Sequence, residues 1–92
     1  MSGKEISIII PAKNCAKTIT ETLSSIKKQS YKDFEVIIVD DLSTDDTQKV
    51  IGAFNKSENV NYKVVSLAKS GGASKARNTG AANAVGKMLV FV

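Results

Sequence analysis

Residues 35–41 read Glu35-Val36-Ile37-Ile38-Val39-Asp40-Asp41. A run of β-branched residues without polar alternation describes a strand buried on both faces, and such strands belong to parallel sheets. A run of the same kind, Ile6-Ser7-Ile8-Ile9-Ile10, comes earlier and is stopped by Pro11. Between the two, Ile19, Leu23 and Ile26 recur at i, i+4 and i+7, one face of a helix. Thr18 with Glu21 has the spacing of a capping box at its start. Residues 30–33 form a polar break.

Beyond Asp41 the same alternation continues. Ser43 or Thr44 offers an N-cap, with Asp45 and Asp46 in the first turn, where the helix dipole favours anions. Val50, Ile51 and Phe54 make the buried stripe of this second helix. Residues 55–61 are a polar loop, and residues 62–67 read as a third strand, more polar than the others. Ser70-Gly71-Gly72 is a turn. Residues 74–85 form a small-residue helix, with Gly86 as its C′ residue. Met88-Leu89-Val90-Phe91-Val92 is a fourth strand.

The element order is therefore βαβαβαβ. Right-handed crossovers restrict the winding. A strand order of 3-2-1-4 puts the first two helices on one face and the third on the other. The expected fold is α/β, a three-layer Rossmann-like half-domain of about four parallel strands. Its topological switch lies between strands one and four, where open α/β sheets bind ligands. Pro11-Ala12-Lys13-Asn14, Asp40-Asp41 and the Gly71-Gly72 turn all reach that crevice. The fourth strand is wholly apolar, whereas natural edge strands carry residues that block further pairing. The sequence is accordingly expected to be the front part of a longer protein.

Composition narrows the chemistry. The chain has 92 residues, 42% hydrophobic and 24% charged, which is a globular balance. Its surface arithmetic, roughly 5,200 Å² folded against roughly 14,000 Å² unfolded, allows one modest core. A net charge of +4 suits a small anionic ligand. The three Phe and two Tyr are scattered, make no stacking platform, and give no expectation of nucleic acid. One cysteine, Cys15, cannot close an intrachain disulfide, and the absence of histidine removes His-based triads and zinc fingers. Without a histidine to deprotonate it, Cys15 reads as a small loop residue. No apolar run approaches the ~20 residues of a membrane span. The first five residues carry no signal-peptide core. The expected location is cytoplasmic, with the inner membrane face open to a longer parent.

Several motifs fail. The turn after the first strand holds no glycine, so neither a dinucleotide fingerprint nor a P-loop is present. A receiver domain would carry its acids after the first strand, and here they follow the second. Residues 41–52 only superficially follow a calcium loop, because Asp46 stands at the glycine position and Gly52 at the final glutamate. Asp40 and Asp41 are more informative. Adjacent carboxylates repel one another and face the crevice, where one can accept from a ribose hydroxyl or a base N–H. The competing role is to cap the following helix. Arg77 stays open between a solvated helix face and a guanidinium clamp on a diphosphate.

Three segments together resemble a known family. Residues 8–14 (Ile-Ile-Ile-Pro-Ala-Lys-Asn), 39–45 (Val-Asp-Asp-Leu-Ser-Thr-Asp) and 72–80 (Gly-Ala-Ser-Lys-Ala-Arg-Asn-Thr-Gly) resemble the front half of family 2 glycosyltransferases with the GT-A fold. The resemblance runs from Ser7 to Val92. It implies inverting transfer of a sugar from a nucleotide diphosphate sugar, with a uridine nucleotide expected, to an unknown acceptor. It implies that Pro11 and Ala12 line the nucleoside pocket, that Asp41 accepts from uracil with Asp40 beside it, and that Arg77 lies near the nucleotide. Lys13 stands where the family commonly has an aromatic, and it reaches toward phosphate instead. Leu42 stands where the family commonly has glycine. The family's D-x-D type motif, which holds a divalent metal (Mn or Mg), falls just beyond Val92. No metal ligand and no catalytic residue is therefore expected within these residues, and no metal is expected on them.

The competing class is a non-catalytic nucleotide-binding or interaction module. A nucleotidyltransferase of similar topology would show a Gly- and basic-rich first turn. The apolar fourth strand, and a sheet face covered by only one alanine-rich helix, lead to the further expectation of a homodimer through that strand or that face.

Overall fold

The structure, a computed structural model, describes residues 5–29 and 33–92. Strands and helices alternate as β1 (Ile6–Ala12), α1 (Ile19–Lys27), β2 (Phe34–Asp40), α2 (Thr47–Glu58), β3 (Lys63–Ser66), α3 (Gly72–Asn83) and β4 (Met88–Phe91). Most of the polar break at residues 30–33, and residues 1–4, lie outside the described residues. All pairings are parallel and the strand order is β3-β2-β1-β4, as the crossover argument expects.

The period-2 alternation of β1 and β2 sorts their side chains into two layers. Ile8, Ile10, Ala12, Val36 and Ile38 face α1 and α2, where they meet Ile19, Leu23, Ile26, Ile51 and Phe54. Ile37 and Val39 face α3 with Leu67 and Ala76. Each large aliphatic side chain buried this way stabilises the fold by about 1.5–3 kcal/mol. The small residues of α3 have a steric cause. A Cβ on Gly80 would lie 2.4 Å from Ile9 Cγ2 and 3.3 Å from Val39 Cγ2, so the helix backbone rides directly on the sheet. Ile9, Ile37 and Val39 are fully buried beneath it, and the thin helix covers β1 and β2 well. Among the described residues, the exposed large apolar side chains are Leu42, Val85, the four of β4 and Val92.

Pro11 does not stop β1, which continues through Ala12. In a parallel ladder the N–H and C=O of one residue point to the same neighbour, and sides alternate along the strand. Ile9 O accepts from Val92 N, on the β4 side. Pro11 therefore faces that side too, where pairing has already ended at Ile9 and Phe91, and its missing N–H costs no ladder bond.

Several local expectations are corrected, the N-cap at Ser43 or Thr44 among them. Asp45 and Asp46 precede α2, and Asp46 is its N-cap residue. The start is delayed because the Asp45 carboxylate accepts from Thr47 N (3.0 Å) and Thr47 Oγ1, which holds residues 45–47 in a turn. Thr18 is the N-cap of α1, but its hydroxyl bonds Cys15 O at 3.4 Å, so no capping box closes. Thr47 takes the buried place read for Val50, which is half-buried. The third helix begins and ends two residues before its expected limits. Gly86 is not its C′ residue but lies against β1, where a Cβ would come within 2.6 Å of Ser7 N. Among the described residues, no helix is long and apolar enough to cross a membrane.

Candidate functional site

β1 and β2 end side by side, with Ala12 in register with Asp40. The chain leaves both strands through left-handed residues, Asn14 at φ 48° and Leu42 at φ 54°. Asn tolerates that conformation, whereas Leu pays for it.

The two acids part company at the strand end. Asp40 is 2% exposed and turns toward α2. It accepts from Gln48 Nε2 at 2.6 Å and from the Ser43 hydroxyl, and Gln48 also reaches Ser66 Oγ at 2.8 Å. Asp41 is 4% exposed and turns toward α3. Its carboxylate accepts from Gly72 N (3.1 Å), Gly71 N (3.3 Å) and Ser70 Oγ (3.4 Å), and its own N–H donates to Ala12 O at 2.8 Å. Mutual repulsion is thus relieved by geometry: the carboxylates lie on opposite faces, each with its own donors. Asp41 occupies the amino end of α3, where free N–H groups and the dipole favour an anion.

The two loops bordering the crevice are tied to each other. Asn14 Oδ1 accepts from Thr44 N (2.7 Å), Asp45 N (3.3 Å) and Thr44 Oγ1 (3.3 Å). Asn14 N donates to Ser43 Oγ at 2.9 Å, and Cys15 N donates to Thr47 Oγ1 at 2.9 Å. Ala16 N donates to Asp45 Oδ2 at 3.2 Å. The Thr47 hydroxyl, helped by the backbone N–H groups around it, holds the Asp45 carboxyl below its ordinary value.

Of the residues expected at the site, Ala12 and Asp41 come together with the start of α3, while Asp40, in register with Ala12, faces α2. Pro11 is half-buried beside them. Lys13 and Arg77 are exposed, and among the described residues neither is bonded to the acids. Sequence reasoning overlooked Asn14, Ser43, Asp45, Thr47 and Gln48 as the residues that hold the crevice in shape. Asn14 carried a signal, a left-handed-tolerant residue in a strand-to-helix turn. Gln48 carried none.

The acids present do not fit a divalent cation. Asp40, Asp41 and Asp45 are committed to N–H and O–H donors, which turn positive ends toward the carboxylates. Among the described residues, no three carboxylate or thiol groups gather as a ligand set.

A parallel sheet of this order, with acids at the switch point, defines a Rossmann-like α/β unit, a class that binds ligands in the crevice at the carboxyl ends of its strands. The chain belongs to glycosyl transferase family 2, whose family model matches residues 7–92. It is 40% identical over 91 residues to the poly(ribitol-phosphate) beta-N-acetylglucosaminyltransferase TarS of Staphylococcus aureus, covering 96% of this chain and 16% of that protein. The crystal structure of TarS residues 1–349 in complex with UDP superposes with a TM-score of 0.85 at 37% identity, over 96% of this chain and 26% of that one. The mannosyltransferase PcManGT of Pyrobaculum calidifontis, solved with GDP-Man and Mn2+, gives a TM-score of 0.86 at 27% identity, over 97% of this chain and 27% of that one. The chain thus spans only a minor part of the proteins it matches.

Proposed function

We propose that this chain is the nucleotide-binding front part of a glycosyltransferase that moves a sugar, with inversion, from a uridine diphosphate sugar to an acceptor. The observation that carries the reading is the placement of Asp41 at the switch point, beside Ala12 and the amino end of α3, in a family 2 chain. Supporting it is the likeness to a transferase solved with UDP. Pro11 and Ala12 form the floor of the nucleoside pocket. Asp41 accepts from the base, Asp40 holds the loop behind it, and Lys13 and Arg77 extend from the rim toward the diphosphate. A divalent metal, Mn or Mg, belongs to the whole protein, on ligands outside these residues. Its place of action is the cytoplasm, at the inner membrane face where the acceptor is membrane-linked.

Calorimetric titration of the full-length protein with uridine diphosphate tests this reading. Asp41→Ala removes a charge-assisted acceptor worth roughly 1.5–3 kcal/mol, so affinity falls about tenfold or more. Asp41→Asn, which leaves an acceptor for Gly71 and Gly72, separates loss of base contact from loss of the α3 start. Unchanged affinity in both folded variants removes Asp41 from the site. The 92 residues alone transfer no sugar; product above a no-protein blank overturns the assigned boundary.

Isolated copies pair through β4. Its side chains remain exposed beside Val85 and Val92, and among the described residues its outer edge has no strand partner. Light scattering at micromolar concentration reports a dimer that Val90→Lys converts to monomer. A clean 9.8 kDa species overturns the pairing.

A further inference from the structure

β4 is held to the sheet by something other than side-chain burial. Met88, Leu89, Val90 and Phe91 are 57%, 39%, 39% and 47% exposed. A one-residue slip would exchange one exposed set for another, so burial specifies its register only weakly. The register is nonetheless single, from Ile6 with Met88 to Ile9 with Phe91.

A polar cluster lies just ahead of the strand. Ser7 is completely buried on β1 and sits in register with Glu35 on β2. Its hydroxyl donates to Glu35 Oε2 at 2.5 Å and accepts from Gly86 N at 2.8 Å. The same carboxylate oxygen accepts from Val85 N at 2.7 Å. Gly86 fits closely, because a Cβ there would fall 2.6 Å from Ser7 N and 2.7 Å from Ile6 C. A slip in either direction brings Val85 or Lys87 into a slot that admits only glycine.

We infer that Glu35 and Ser7 form a register lock for β4, gripping the backbone at residues 85–86 so that the strand can enter the sheet in one position only. A serine and a glutamate that read as interruptions of apolar strands thereby act as positioning residues. The lock stands on its own geometry. Its consequence, that it also fixes the β4 wall of the nucleotide crevice, rests on the proposed function.

Amide hydrogen exchange followed by NMR tests the lock without any ligand, so it is independent of nucleotide binding. Met88 N and Val92 N, which donate to Glu5 O and Ile9 O, report on β4; Leu67 N, which donates to Asp40 O, reports on β2 and β3. In Glu35→Ala the β4 amides exchange about tenfold faster or more, while Leu67 keeps its rate. Glu35→Gln retains an acceptor oxygen and recovers most of the protection. Ser7→Ala leaves the Glu35–Val85 bond, gives an intermediate effect of the same selectivity, and serves if Glu35→Ala does not fold. Equal acceleration at Leu67 and the β4 amides, or unchanged β4 rates, overturns the proposal.

Discussion

The carboxyl ends of β1 and β2 and the strand β4 are built on opposite plans. At the crevice, side chains and backbone of two loops are cross-tied by Asn14, Ser43, Asp45 and Thr47, and both acids are pinned. Along β4 there is one backbone ladder, one polar lock and an exposed apolar surface. Cross-ties of this kind pre-organise a crevice, and a pre-organised crevice loses less on binding. Among the described residues, the side chains of β4 add little to its register, and the Glu35–Ser7 cluster meets the backbone just ahead of the strand.

The largest expected effect breaks the β4 half of this contrast. Gly86→Val places a branched side chain against Ser7 N and Ile6 C, backbone atoms that cannot yield cheaply. Overpacking of this kind costs about 1–3 kcal/mol, at the upper end here because backbone is involved. Thermal unfolding should shift down accordingly, and NMR signals of β4 should move while those of Asn14 and Thr44 stay. The crevice half is broken by Asn14→Gly. Glycine accepts the φ of 48° without strain, so the folded state loses only the bonds to Thr44 and Asp45, while the unfolded chain gains freedom. The expected loss is about 1–2 kcal/mol of stability, from two or more partly exposed bonds, measured by urea denaturation. Loop 43–46 amides should lose protection, and β4 should not respond.

The layers and strand order were legible because they follow from apolar runs and crossover handedness, which Ile6–Ile10 and Val36–Val39 declare openly. The acid pair was legible as a candidate, because open α/β sheets collect ligands at strand ends beside a switch point, and its placement there follows from the strand order. What escaped were side chains acting on distant backbone. Glu35 looks like one polar residue at a strand start, and only the fold shows it reaching across β1 to Val85, 50 positions away. Asp45 and Asp46 looked like first-turn acids because dipole logic sees a helix, not the Thr47 hydroxyl that delays it. Gly86 followed the rule for helix ends, yet the close approach to Ser7 is what requires it.

At the crevice, one residue is strained without return. Leu42 adopts φ 54° while its side chain is 43% exposed, so strain at the crevice loop is not repaid by burial. The left-handed conformation costs a non-glycine residue about 1–2 kcal/mol. Part of that gain is offset because glycine makes the unfolded chain more flexible. Leu42→Gly should therefore raise stability by about 0.5–1 kcal/mol in equilibrium denaturation. No gain, or a loss, would show that Leu42 packs usefully where it stands.

Titration of Glu35 moves stability least and reads the lock directly. Burial alone would raise the Glu35 carboxyl. The Ser7 hydroxyl, the N–H groups of Val85 and Gly86, and the charge of Lys63 on β3 together outweigh it and bring the group below its ordinary 4.5. A carboxyl whose folded value lies below its unfolded one stabilises the fold fully above the unfolded value. That contribution disappears as pH falls through the folded value. The carboxylate is only partly buried, so solvent screening keeps the contribution small. The amide resonances of Val85 and Gly86 should therefore shift together with a midpoint below 4.5. Protection of the β4 amides, corrected for intrinsic rates, should decline over the same window. Ser7→Ala removes a bond that lowers the carboxyl, so the midpoint should move back up toward the ordinary value. A midpoint at or above 4.5 in the native chain, or one that Ser7→Ala leaves in place, would separate Glu35 from β4 and leave the strand held by its ladder alone.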